Sequence, residues 1–210
     1  METYQVLPRL HDDLEAIQKR WDGCTKCRIG TIANKQAFVD YIGDVGEHAH
    51  SRVDILMVGE GPGRGEDALG VPFIGPAGKL LREAIEQHSL AGILIGITNL
   101  VLCRPCDSRG GPNRAPDQLE IENCSPRLAD MISIMRPTLL VTLGRVAEEN
   151  IGGNYPRERI WFLHHPAYLL RIGGKESAEY ERYVERIGTI INRTRIYKER
   201  DDIARTVRHS

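Results

Sequence analysis

Apolar positions along the chain follow two rhythms. In residues 9–20 ("RLHDDLEAIQKR") Leu10, Leu14 and Ile17 recur three or four apart, which predicts a short amphipathic helix. Residues 24–50 mix glycine, charge and short apolar pieces and read as irregular. From 52 to 58 ("RVDILMV") a short apolar run ends at a glycine, as expected of a strand buried on both faces. Pro76 then opens a helix with Leu80, Leu81, Ala84 and Ile85 along one side. Residues 92–102, 138–144 and 159–165 are three further candidate strands. After Pro126 the stripe Leu128, Met131, Ile132 and Met135 marks another helix. A last helix, about Ser177 to Asn192, uses Tyr180, Val184 and Ile187. The charged tail, about residues 194–210, reads as solvated or loosely docked.

Because strands alternate with helices, the expected fold is a three-layer α/β/α sandwich around a parallel four-stranded sheet. Ligands of such folds sit beyond the carboxyl ends of the strands. Three segments meet that rim: the glycine-rich loop after the first strand, "TNLVLCRP" at the end of the second, and "HHPAYLLR" after the fourth.

Composition narrows this little. A chain of 210 residues, 41% apolar with a formal net charge of -1, fits one globular domain over residues 1–210 and neither demands nor excludes nucleic acid. The first twenty residues hold no apolar run of signal-peptide or membrane-span type, so a soluble cytoplasmic protein is expected. Five cysteines in such a chain point to metal before disulfides. Cys24 and Cys27 form a C-x-x-C, and spacing alone pairs them with Cys103 and Cys106 in a zinc-ribbon-like set.

The glycine loop is not a dinucleotide site. Gly61, Gly63 and Gly65 alternate, and Glu66 stands where the third glycine of G-x-G-x-x-G belongs. Glu60, Glu66 and Asp67 would repel a phosphate, and no lysine followed by Ser or Thr completes a P-loop.

"GEGPGRGEDALGVPFIGPAGKLL", "TNLVLCRP", "NRAP" and "HPAYLLR", in this order with four cysteines around them, closely resemble the iron-sulfur (family 4) uracil-DNA glycosylases over about residues 20–172. The resemblance implies hydrolysis of the N-glycosidic bond of uracil in single- or double-stranded DNA, on a base swung out of the helix, leaving an abasic site. Gly61 and Gly63 would leave room for the base, and Phe73 would stack on it. Asn99 carries donors and an acceptor that suit the O4 and N3–H edge of uracil, although an asparagine can equally end a strand by local bonding. By the same resemblance His165 would stabilise charge developing on O2, and Glu60 would orient the attacking water and steady the sugar cation. Glu66 would lie near C5 and reject thymine. For DNA, Arg104, Arg109, Arg114 and Arg171 are candidate phosphate contacts, and Leu169 or Leu170 a wedge filling the gap left by the base.

For the cysteines, the family pattern implies a [4Fe-4S] cluster on Cys24, Cys27, Cys103 and Cys124, with Cys106 spare or a substitute. A monomer is expected. Two departures bear on the substrate: the stretch before "HHPAYLLR" is shorter than in relatives, and position 65, often acidic there, is glycine. A glycosylase for a modified pyrimidine of phage DNA, acting in defence, is therefore the first alternative. A non-catalytic nucleic-acid-binding relative is the second.

Overall fold

The computed structural model describes residues 8–43, 52–151 and 155–208. Its sheet has five strands in the order β1-β3-β2-β4-β5: β1 Asp40–Gly43, β2 Ile55–Gly59, β3 Leu94–Asn99, β4 Leu139–Leu143 and β5 Ile160–Leu163. The strands β2 to β5 are parallel, as expected, but β1 is an added edge strand, antiparallel to β3 with Asp40 opposite Ile97 and Gly43 opposite Leu94. The expected four-stranded sheet is thus a mixed five-stranded one. Four residues with one buried apolar side chain, Ile42, give no period to read, which is why the segment looked irregular. The rest of that stretch holds α2, Arg28–Ile32, and its last part, 44–51, lies outside the described residues.

The pleat sends alternate residues into two cores. Leu56, Val58 and Leu140 face α1 (Pro8–Trp21) and α5 (Gln118–Met135), whose Leu14, Ile17, Leu128 and Met131 belong to the same cluster. Ile55, Met57, Ile95, Ile97 and Val141 face the opposite way, onto Leu81, Ile85, Tyr183, Ile187 and Ile190. These last come from α4, Pro76–Glu86, and α8, Ala178–Arg208. Helices on both faces give the α/β/α layering.

Two helices run further than the sequence suggested. α5 begins at Gln118, fixed by a capping box in which Asp117 and Glu120 exchange bonds of 2.8 and 2.9 Å, and passes through Pro126. Proline removes the N–H that would have met the Glu122 carbonyl, and the Ser125 hydroxyl donates to that carbonyl instead, at 2.9 Å. α8 continues through the charged tail to Arg208. Its Lys198 pairs with the buried Asp54 at 2.7 Å, and Asp201 receives both guanidinium arms of Arg159 at 2.8 and 3.0 Å. The tail's charges are therefore partly docking contacts. Among the described residues no helix is long and apolar enough to cross a membrane.

Candidate active site

β2 ends at Gly59, hydrogen-bonded in register beside Asn99, the last residue of β3. That pairing sets the floor of the site. A methyl group on Gly59 would lie 2.6 Å from Asn99 Oδ1 and closer still to Cζ of Phe73, so both side chains converge on one glycine. The Phe73 ring in turn lies 6.0 Å from the His165 ring, centroid to centroid, tilted by 36°. The three residues expected to grip one base, which come from separate segments, thus share one neighbourhood.

Phe73 is held there against its backbone preference. Its φ is +55°, a left-handed conformation uncommon for a bulky residue, and the surroundings enforce it. Arg82 Nε donates to the Phe73 carbonyl at 2.9 Å and its Nη2 to the Pro72 carbonyl at 3.1 Å, while Asp40 on β1 anchors the same guanidinium at 2.6 Å. The edge strand absent from the sequence reading therefore braces the pocket. Gly78 packs directly under the Phe73 carbonyl, where any side chain would collide.

Glu66 sits on α3 (Arg64–Leu69), a short helix inside the glycine loop that was not anticipated. Its Oε1 accepts from the backbone N–H of Ile74 at 3.1 Å and of Gly75 at 2.8 Å, closing the loop onto the start of α4. Its other oxygen borders Gly63, so that a methyl there would come within 2.7 Å. The neighbouring Asp67 accepts from the backbone and side chain of Asn34 at 2.8 and 2.6 Å, and so ties the loop to the segment after α2. Gly61 approaches Pro105 and Val101 with similar closeness. The glycines serve close packing of the loop rather than phosphate approach. Glu60, by contrast, makes no side-chain hydrogen bond or ion pair among the described residues, and burial pushes its carboxyl above the usual carboxylate range.

Asn99 is 1% exposed and its Oδ1 has no hydrogen-bond partner among the described residues. A buried amide oxygen left unpaired is costly, and this one lies close to Gly59, where the Phe73 ring also approaches. His165 ends the coil before α7, Pro166–Arg171. Its Nδ1 accepts from the Ala167 N–H at 3.2 Å, which places the ring proton on Nε2. Burial, with the charge of Arg171 adding and that of Glu66 opposing, holds its pKa down to about 4. At neutral pH the imidazole is an uncharged Nε2–H donor. His164 is exposed and packs between Phe162 and Tyr168.

On α7 the two leucines separate: Leu169 is 1% exposed within the core, and Leu170 is 42% exposed. Arg171 is exposed beside it. Arg114 is bound by both oxygens of Glu120, at 2.7 and 2.8 Å, and by Asp107 at 2.8 Å. Arg104 is buried, donating to Asn113 at 2.6 Å and to the Gly111 carbonyl. Both therefore organise the 104–116 loop, while Arg109 is exposed.

The sequence matches the family model of the uracil DNA glycosylase superfamily over residues 45–188. The chain belongs to that superfamily. Among relatives, a type-4 uracil-DNA glycosylase of Archaeoglobus fulgidus is 31% identical over 200 residues, spanning 85% of this chain and 94% of its own. One of Sulfurisphaera tokodaii is 38% identical over 177 residues, 82% of this chain and 74% of its own. One of Thermotoga maritima is 32% identical over 186 residues, 81% and 88% respectively.

In this superfamily member, four of the five cysteines line one cavity: Cys24 before α2, Cys27 at its start, Cys103 after β3 and Cys124 on α5. Cys27 and Cys103 are pushed up by burial, Cys103 to about 12, and the cysteines near enough to add to this are from the same four. Cys106 points elsewhere, its thiol toward the Arg104 carbonyl at 3.6 Å. Among the described residues no three His, Cys, Asp or Glu side chains converge as a lone metal ion requires. One residue in this region escaped the sequence reading. Arg127, three residues after Cys124 and so on the same side of α5, is wholly buried with no ion pair among the described residues. The signal was a single arginine interrupting an apolar helix stripe one turn from a cysteine.

Proposed function

We infer that this chain is a uracil-DNA glycosylase, a monofunctional hydrolase that releases uracil from DNA and leaves an abasic site. The observation that carries the reading is the convergence of Phe73 and Asn99 on Gly59, with His165 across from the Phe73 ring. An extruded uracil would stack on Phe73, a contact worth about 1–3 kcal/mol per base on such platforms. Its N3–H would meet the unpaired Asn99 Oδ1, and its O4 the amide N–H of the same residue. Cytosine offers the opposite polarity on that edge and would leave buried groups unpaired, which is the stronger kind of discrimination.

As the glycosidic bond breaks, its electron pair moves onto the base and negative charge collects on O2. The neutral His165 Nε2–H would stabilise that charge. Glu60, its carboxyl raised by burial, would orient water toward the anomeric carbon and, when ionised, offset the charge of the oxocarbenium-like sugar. Gly63 and Glu66 border the loop side of the pocket and are proposed to exclude a 5-methyl group, with Gly61 keeping that wall thin. Leu170 is the proposed wedge into the vacated stack, with Arg171 and Arg109 on phosphates. Arg114 contributes to DNA binding by ordering its loop.

Cys24, Cys27, Cys103 and Cys124 would hold a [4Fe-4S] cluster. They fit such a group in two respects. Among the described residues, four thiols line one cavity without the spacing of a single ion, and the buried Arg127 guanidinium beside Cys124 has no carboxylate to balance it, as an anionic cluster would. When bound, the cluster would tie the α1–α2 region to the end of β3, and hydrolysis needs no electron transfer. A monomer in the cytoplasm is the proposed working form.

The test is incubation with single-stranded and duplex DNA bearing one uracil, followed by alkaline cleavage and detection of free base. Strand scission at uracil is expected, abolished by N99A. A second arm uses phage DNA with hydroxymethylated pyrimidines, because a methyl group on Gly65 would meet only Gly75 Cα, at 4.0 Å, so the loop is open there. Cleavage in that arm alone would move the substrate to a modified base, and DNA binding without base release would remove the enzymatic reading.

A further inference from the structure

Among the described residues Arg127 is the largest wholly buried side chain, and the other large ones buried to the same degree are apolar. Its guanidinium reaches in two directions. Nη2 donates to the backbone carbonyls of Asn99 and Leu100, both at 2.7 Å, and lies 3.8 Å from Cys124 Sγ. Nη1 lies 3.3 Å from Thr98 Oγ1 and 3.2 Å from Met131 Sδ. Every contact is thus either to the end of β3, where Asn99 reads the base, or to the cysteine side of α5. Burying a guanidinium without a counter-charge is costly even after relaxation, and an apolar side chain could fill the space at less cost.

We propose that Arg127 is a positioning residue that couples the cluster to base recognition: its charge balances the thiolate-bound cluster at Cys124 while its donors clamp the Asn99 and Leu100 carbonyls. Arg127 thereby fixes the Asn99 amide in register over Gly59. The Leu100 N–H donates to the Gly59 carbonyl at 2.9 Å, so the clamp also holds the pocket floor. A lysine would supply the charge but not the planar, forked donor set that reaches two carbonyls and a sulfur together. The proposal rests on the four-cysteine cluster reading.

The test compares wild type, R127K and R127M, purified anaerobically as loaded protein. Iron and sulfide content and midpoint potential are measured alongside kcat and KM for uracil release. Removing a cation and a sulfur-directed donor makes an iron-sulfur couple harder to reduce, so R127M should shift the potential to more negative values, and R127K should recover part of that shift. In both variants kcat should fall by about tenfold to a hundredfold with KM for DNA little changed, as expected when a reading group is misplaced. Wild-type potential in R127M, or wild-type kcat in both variants, would overturn the coupling. If R127M does not fold, R127K decides alone, through a lower kcat at near wild-type potential. Wild-type protein containing no iron would instead sink the cluster reading itself.

Discussion

His165 offers the sharpest test of the site, because its geometry fixes both a protonation state and a direction. Its pKa is held at about 4 against an ordinary 6.5, a difference of about 2.5 units. At 1.36 kcal/mol per unit this is about 3 kcal/mol favouring the neutral ring in the folded protein. The unfolded chain therefore binds the extra proton between pH 6.5 and about 4 while the native one does not. Stability from this group is full above 6.5, shrinks as pH falls through that window, and is gone below about 4. Glu60, raised by burial, acts with the opposite sign, so the comparison must isolate the histidine. Denaturant unfolding of wild type and H165Q across this range does so: the stability difference should grow with pH and level off near neutrality. In activity, kcat/KM of wild type should show no inflection near 6.5, since the reacting form is already the neutral Nε2–H donor. H165A, which removes the N–H that glutamine would partly replace, should lose about 10²–10³ in kcat, the usual cost of one such donor. An activity inflection near 6.5 that H165Q removes would refute the reasoning, as would a stability difference that stays flat with pH.

Four further substitutions address other parts of the site. G59A puts a methyl group 2.6 Å from Asn99 Oδ1 and closer to Phe73, and should lower kcat/KM for uracil release by about a hundredfold. G78A drives a methyl into the Phe73 carbonyl and should cost more than about 2 kcal/mol in denaturant unfolding. L170A removes an exposed side chain, so it should slow uracil release from duplex DNA several-fold and spare single-stranded DNA, while melting at the wild-type temperature. C124S should lose iron on purification and C106S should keep it, measured by iron assay; the reverse result would restore the paired C-x-x-C set.

What could be read in the sequence was whatever depended on period or on a motif. The buried runs of β2, β3 and β4 and the stripe of α4 announce themselves because each buries residues at one spacing. Short elements do not: β1 with four residues and α2 with five carry too few apolar positions to set a period, and both owe their shape to tertiary pairing. The span of α5 across Pro126 was hidden because proline normally argues for a boundary, and only the Ser125 bond shows how the helix passes it. Within the site, Phe73 and His165 stood out beside prolines, and Asn99 as a polar residue in an apolar run, within motifs of the family. Their supports did not. Arg82 and Asp40 lie 42 positions apart, and the choice between Leu169 and Leu170 depends on how α7 is rolled against the core. The bonds of Glu66 to two backbone amides were equally invisible, since nothing in the sequence says which N–H a carboxylate will find.

Gly59 and Asn99 are neighbours because two parallel strands, separated in sequence by two helices, align at their last rungs. Neither segment carries the proposed base site by itself; that site is a by-product of their alignment. A slip of one rung would carry every outward-facing group to the wrong side. Parallel pairings of this span also close slowly, after local helices have formed. A chain in which these two strands have not yet paired therefore lacks the place proposed to hold the base.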